Sequence, residues 1–278
     1  MRKQSKAYIF AVFAVLFWST VATAFKIGLK SLSYSELLLF SSFFSMIILF
    51  IILSLQRKLG GLSEQSIKEI FYSALLGFLN PFLYYLILFK AYELLPAQEA
   101  LTLNYTWAIV VVLLSIPMLG QRIRVMNFIA LFVSFSGVVV IATHGDLLSL
   151  ELSEPRGVLL ALISAFVWAI FWLMNLKDKR DEVIKLSMNF VFGFAYILVY
   201  QILIDGVRLP EITGILSGVY IGCFEMGVTF VLWLLALKYS ETTAKVSNLI
   251  YLSPFLSLIF IALILHEAIH ISSLFGLI

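Results

Sequence analysis

YIFAVFAVLFWSTVATAFKIGL, residues 8–29, decides the fold class of this chain. It carries a single charge, Lys26, and is otherwise apolar or weakly polar. A bilayer core of about 30 Å is crossed by about 20 apolar residues wound as a helix. Arg2, Lys3 and Lys6 in front of it, and Ala22-Thr23-Ala24 within it, imitate a secretory signal with its cleavage site. The apolar part of a signal is only about 7–15 residues long, however. The stretch is also the first of many, so it reads as an uncleaved first span.

Working outward, comparable segments recur along the whole chain. They run over Glu36–Leu55, Ile70–Phe89, Ala97–Leu119, Val125–Thr143, Arg156–Leu176, Val183–Ile204, Ile212–Leu237 and Thr243–Leu265. A tenth begins near Ile271, and its residues are too few to cross a bilayer at about 1.5 Å each, so the sequence reads as truncated there or the last element does not span. Composition agrees with this pattern. Hydrophobic residues make up 62% of the chain, charged residues 13%, and mean hydropathy is +1.04. Soluble domains run at about 45–50% apolar and about 25% charged, so this chain lacks the surface that water demands. The loops are short and leave no room for a soluble domain. The two most polar, Gln56–Glu69 and Lys177–Glu182, read as solvated turns.

Basic residues orient the spans, because cytoplasmic loops collect Lys and Arg. With the N-terminus in the cytoplasm, inside loops hold Arg2, Lys3, Lys6, Arg57, Lys58, Lys68, Arg122, Arg124, Lys177, Lys179, Arg180, Lys185, Lys238 and Lys245. Outside loops hold only Lys30, Arg156 and Arg208, together with the acidic linker Asp146, Glu151 and Glu154. The net charge of +3 is small and its basic residues are dispersed, which speaks against a nucleic-acid partner. Cys223 is the only cysteine, so internal disulfides and all-cysteine metal sites are excluded.

The two halves repeat. Phe17-Trp18 answers Val167-Trp168, Leu76-Gly77 answers Ile221-Gly222, and Ala91 answers Ala236. Tyr105 answers Tyr251, and Gly120-Gln121 answers His266-Glu267. Each repeat has five spans, and an odd number turns the second copy upside down. The expected architecture is an all-α polytopic membrane protein of two inverted five-helix repeats, residues 1–145 and 155–278. Inverted repeats meeting at the bilayer midplane are characteristic of secondary transporters.

With these residues in place the chain resembles the drug/metabolite transporter superfamily, in its ten-span EamA-type branch. Phe17-Trp18-Ser19-Thr20, Asn104-Tyr105-Thr106-Trp107, Tyr251-Leu252-Ser253-Pro254, Gly120-Gln121 and His266-Glu267 carry the resemblance. It extends over essentially the whole chain. The Asn-Tyr-x-Trp run is most similar to exporters of aromatic and other neutral amino acids. Two positions depart from the family pattern: Ala108 stands where proline is usual, and His266 where glycine is usual. The resemblance implies a central cavity lined by spans one, three, four, six, eight and nine.

Several polar groups lie where lipid would reject them. Glu225 falls at the middle of span eight, where a charge costs about 2.5–3.5 kcal/mol on insertion scales. It reads either as a site for a substrate amine or a proton, or as a carboxyl hydrogen-bonded to a neighbouring helix. Its counterpart in the first half is Asn80, followed by Pro81. Lys26 and Lys90 lie near span ends, where long stems snorkel; Lys26 alternatively meets a substrate carboxylate. Trp18, Trp168, Trp172, Asn104, Tyr105, Trp107, Asn248 and Tyr251 offer flat rings and amides suited to an aromatic or zwitterionic ligand. The competing reading is an interfacial belt, which fits the mid-span Trp18 and Trp168 poorly.

Gly214, Gly218, Gly222 and Ala161, Ala165, Ala169 form small-residue stripes for close helix packing. His266-Glu267-Ala268-Ile269-His270 matches a zinc-protease pattern, but it sits in a turn at a span end and is explained by the repeat. No metal or cofactor is implied, and no phosphate loop for ATP is present.

The function expected from these readings is a secondary transporter in the cell's inner membrane. It would move a small metabolite, an amino acid or similar solute, outward by alternating access, with protons as the coupling ion. The rivals are an intramembrane metal-dependent enzyme and a non-transporting scaffold or sensor.

Overall fold

The computed structural model describes residues 3–120, 154–241, 246 and 248–270. Among these, seven helical stretches are long and apolar enough to cross a membrane. They form an all-helical, polytopic membrane protein. The helices are α1 (Lys3–Gly28), α2 (Tyr34–Leu55), α3 (Ile67–Gly77), α4 (Tyr84–Leu94), α5 (Ala97–Asn104) and α6 (Trp107–Leu119). They continue as α7 (Pro155–Lys177), α8 (Glu182–Ile204), α9 (Ile212–Ile221), α10 (Val228–Tyr239) and the shorter α11 (Leu252–Phe260). The expected spans Val125–Thr143 and Ile271 onward lie outside the described residues, as does part of Thr243–Leu265.

Local chemistry sets the helix ends. Ser33 and Glu36 form a capping box at the start of α2, each satisfying the other's backbone N–H. Ser66 and Glu69 do the same for α3, which starts that helix at Ile67, earlier than apolarity alone predicts. Asp181 caps α8 through the N–H groups of Val183 and Ile184. Pro155 opens α7, where its missing N–H costs nothing. Gly120 closes α6 at φ 67°, in the left-handed region that suits glycine.

The outer surface of the molecule is apolar, as lipid as solvent requires. Ile9, Val12, Phe13 and Leu16 on α1, and Phe43, Ile47 and Ile51 on α2, are exposed. The interior is a largely apolar core that also holds polar groups shielded from lipid, among them Ser41, Ser45, Ser164, Asn189 and Glu225.

The packing is reciprocal between the halves. α1 packs on α10 and α11, and α7 packs on α4 and α6. α2 packs on α9, and α8 packs on α3, while α2 and α8 also meet each other. Glycines allow the closest of these approaches. A Cβ on Gly77 would run into the Asn189 carbonyl oxygen and lie 2.9 Å from the Gly193 nitrogen. A Cβ on Gly222 would lie 2.5 Å from the Ser41 carbonyl oxygen and 2.9 Å from the Ser45 nitrogen. The rest of the glycine stripe sits on the same side, Gly214 against Leu32 and Gly218 against Phe40. Ala161, Ala165 and Ala169 are fully buried.

Two helices are interrupted at matching places. α3 passes into α4 through a π-helical turn, Phe78–Leu83, in which Asn80 adopts φ −150°, ψ 121° ahead of Pro81. Proline removes a donor and disfavours helical backbone before it. α9 passes into α10 through a second π-helical turn, Gly222–Gly227. A third break separates α5 from α6 at Tyr105–Thr106.

One loop corrects the sequence reading. Lys177–Glu182 is more than a solvated turn. Arg180 inserts between loops, donating to Asp178 Oδ2 at 2.6 Å, Ser73 Oγ at 2.9 Å, Gln65 Oε1 at 3.1 Å and the Glu69 carbonyl at 3.2 Å. Both side chains of the Asp178–Arg180 pair are nearly buried. The planar guanidinium finds a partner in each direction, so it tolerates burial.

Candidate functional site: a central aromatic cavity

Two of the interruptions, at Tyr105–Thr106 and Gly222–Gly227, border a cavity of about 380 Å³. α1, α4, α5, α6, α7 and α10 contribute most of its walls. One end is sealed by buried Phe25, Leu88 and Tyr92, with Phe25 and Tyr92 in edge contact at 5.2 Å. The other end reaches Leu176, which is 64% exposed, and Leu237, beside Lys177 and Lys238. Among the described residues the cavity is therefore open toward the basic end of the molecule and closed at the opposite end.

Glu225 enters the wall from the second π-helical turn and is 7% exposed. The Tyr85 hydroxyl donates to its Oε1 at 2.9 Å. Trp18 also lies beside the carboxyl, while Oε2 has no hydrogen-bond partner among the described residues. Asn104 stands across the cavity at the end of α5. Its Oδ1 accepts from the Tyr84 hydroxyl at 3.3 Å, and its Nδ2 donates to Ser164 Oγ on α7 at 2.9 Å.

Aromatic rings fill the space between. Trp168 stacks on Tyr84 with centroids 4.5 Å apart. Trp18 lies 5.5 Å from Trp233. Both tryptophans also approach Phe230, at 5.7 Å from Trp168 and 6.2 Å from Trp18. The two mid-span tryptophans thus face inward from α1 and α7, each toward the lower half of an interrupted helix.

Of the residues singled out in the sequence, Glu225, Trp18, Trp168, Asn104, Tyr105, Trp107 and Trp172 line the cavity. Asn80 does not. It is fully buried in the helix break, and neither its Oδ1 nor its Nδ2 has a partner among the described residues. The reciprocity of the halves places the two breaks correctly, but Asn80 belongs to the α3–α8 seam, where Pro81 lies against Gly193. Lys26 also stays out of the wall. Its Nζ donates to the carbonyls of Tyr92 and Leu95, 2.9 Å each, at the end of α4. Those carbonyls have no helical partner, so a lysine is well placed there. Lys90 pairs with Glu93 and lies 4.7 Å over the Tyr34 ring. The side chains of Asn248 and Tyr251 lie outside the described residues.

The sequence reading missed Tyr84, Tyr85, Tyr92 and Trp233. The repeat offset of 145 that pairs Asn80 with Glu225 also pairs Tyr85 with Phe230 and Leu88 with Trp233. That offset was the available signal. The His266–His270 run serves the sealed end. Glu267 Oε1 accepts from the Ala97 N–H at 3.2 Å, and Gln98 grips the Ala268 carbonyl at 2.8 Å and the His270 N–H at 2.9 Å.

Comparisons with known proteins agree on the class. Residues 5–143 and 155–278 each match the EamA-like transporter family. Uncharacterized transporter YoaV of Bacillus subtilis is 27% identical over 278 residues, covering 98% of this chain and 92% of its own length. An uncharacterized transporter of Clostridium kluyveri is 25% identical, with 98% and 90% covered. One of Archaeoglobus fulgidus is 25% identical, with 95% and 90% covered. A solved crystal structure overlays with a TM-score of 0.70 at 20% identity, covering 99% of this chain and 93% of its own; at that identity the likeness concerns fold alone.

Proposed function

Because the chain belongs to the EamA-like transporter family, we propose that it carries a small amine-bearing metabolite across the cell membrane by alternating access. Amino acids are the class suggested by the Asn104–Trp107 run. The observation that carries this reading is Glu225, a buried carboxyl with one unpartnered oxygen in an aromatic cavity open at one end. A charge buried this way is retained for a partner it meets intermittently. A substrate ammonium and a proton are the two partners that neutralise a carboxylate, and exchange between them couples solute to proton movement. The cavity lies among the discontinuous helices, as in transporters built from inverted repeats. We assign residues 1–145 and 155–278 to two such repeats, with the N-terminus in the cytoplasm, because the basic loops share its side.

Flux in proteoliposomes tests the proposal, with labelled amino acids, nucleosides and cationic drugs as the panel. Glu225→Gln keeps the shape and removes the charge. Its uptake of amine-bearing solutes is expected to fall at least tenfold, or to lose its response to a pH gradient, while the protein still folds. Equal flux and affinity in variant and parent, with and without the gradient, would remove Glu225 from the mechanism.

A further inference from the structure

We infer that the solute is a monocationic amine with a flat apolar body and no free carboxylate, which rests on the transport reading above, keeps its amine and sets aside the amino-acid class that the Asn104–Trp107 run suggests. The inference follows from the charge inventory of the cavity. A zwitterion brings two charges that must both leave water. Among the described residues the wall offers a counter-charge for one of them, Glu225, and contains no Lys, Arg or His.

Several of the neutral donors that could hold a carboxylate are already committed, and the rest of the wall offers only indole N–H groups and phenols. Asn104 Nδ2 is given to Ser164, the Tyr84 hydroxyl to Asn104, and the Tyr85 hydroxyl to Glu225 itself. The nearest intramembrane cation, Lys26, turns away to the carbonyls of Tyr92 and Leu95. Broken helices elsewhere bind carboxylates through freed backbone N–H groups. At the Tyr105–Thr106 break, the N–H groups of Tyr105, Thr106, Ala108 and Ile109 all remain bonded to backbone carbonyls. A carboxylate entering here would lose its water and meet ring N–H groups and phenols in return.

An ammonium meets the opposite situation. Glu225 Oε2 is open to it. Trp18, Trp168, Tyr84 and Trp233 line the cavity, and aromatic rings attract cations and pack against flat bodies. The volume of about 380 Å³ suits one small molecule, at the low end of the range of about 300–1,000 Å³ typical of ligand sites.

Three probes of one body separate the charges: phenethylamine, phenylalanine and 3-phenylpropionate. Binding to the purified full chain is read by quenching of tryptophan fluorescence, and transport by flux in proteoliposomes. Phenethylamine is expected to bind at least tenfold tighter than phenylalanine, with 3-phenylpropionate weakest. Glu225→Gln should abolish that preference. Ala108→Lys, which places a cation in the wall without touching Glu225, should raise phenylalanine affinity and lower that of phenethylamine. Phenylalanine binding as tightly as phenethylamine in the parent, or an unchanged order in Ala108→Lys, would overturn the inference. Flux of neutral or anionic solutes with none of amines would also overturn it and leave the transporter reading standing. A broad panel in which nothing crosses would overturn both.

Discussion

Asp178 shows how a single side chain ties the loops at the basic end together. Burial raises its carboxyl, but the Arg180 guanidinium and the Arg180 backbone N–H outweigh burial and hold it below its ordinary 3.8. A carboxyl with a lowered folded value adds stability that is complete above its unfolded value and disappears as pH falls through the folded one. Acid therefore leaves the Arg180 guanidinium beside a neutral partner, with Ser73, Gln65 and the Glu69 carbonyl among its remaining contacts. Melting temperature followed from about pH 6 down to about pH 2 should fall for the parent. Asp178→Asn should start lower and show a flatter acid limb. An identical acid limb in the variant would detach Asp178 from acid stability. The Asp178–Arg180 pair was not legible in the sequence, where Lys177–Glu182 looks like any polar turn. Residues two positions apart gave no hint that Ser73, on another helix, would complete the guanidinium's shell.

At the scale of elements, the two glycines at the reciprocal seams carry the closest backbone approaches. Gly77→Ala drives a methyl group into Asn189, and Gly222→Ala drives one into Ser41 and Ser45. Both clashes are with backbone, which cannot swing aside as a side chain does. Overpacking of this kind costs typically about 1–3 kcal/mol. Gly60→Ala is the control, since nothing lies within 4 Å of its added carbon. Thermal unfolding in detergent should show clear losses for Gly77→Ala and Gly222→Ala and almost none for Gly60→Ala. Comparable losses for all three would mean that the seams are looser than they look. The glycine stripe itself was legible, because spacing of four places small residues on one helical face. Its partner helix was not, because periodicity names a face without naming what covers it.

At the scale of the molecule, the sealed end is held by few groups. Glu267 and Gln98 fasten residues 267–270 to the corner between α4 and α5, and Lys26 caps the same corner. The proposed alternating access requires this corner to part when the opposite end closes. Paired Gln98→Ala and Glu267→Ala changes should therefore expose the cavity from that side. In a Cys223→Ser background, Leu101→Cys should react several-fold faster with an impermeant maleimide applied from outside. Ser31→Cys and Ser63→Cys, exposed at opposite ends of α2, fix which side is which. Unchanged Leu101→Cys labelling would show that the latch does not gate the cavity. Ser31→Cys and Ser63→Cys reacting from one side would refute the topology.

What the sequence determined by itself is the solvent and the course of the chain. Span length, loop charge and the order of the repeated motifs are local or nearest-neighbour properties, and each can be counted along a string. The mid-span position of Glu225, Trp18 and Trp168 belongs to this class, since a charge or an indole far from both interfaces must face something other than water. The tertiary structure decided which polar groups share a cavity. It separated Glu225 from its repeat partner Asn80, took Lys26 to the carbonyls of α4, and brought Tyr84, Tyr92 and Trp233 to the wall. The physical reason lies in the bilayer. Lipid and protein interior are both apolar, so a spanning helix has little amphipathic contrast to tell its inward face from its outward one. Only packing against the neighbouring helices makes that distinction.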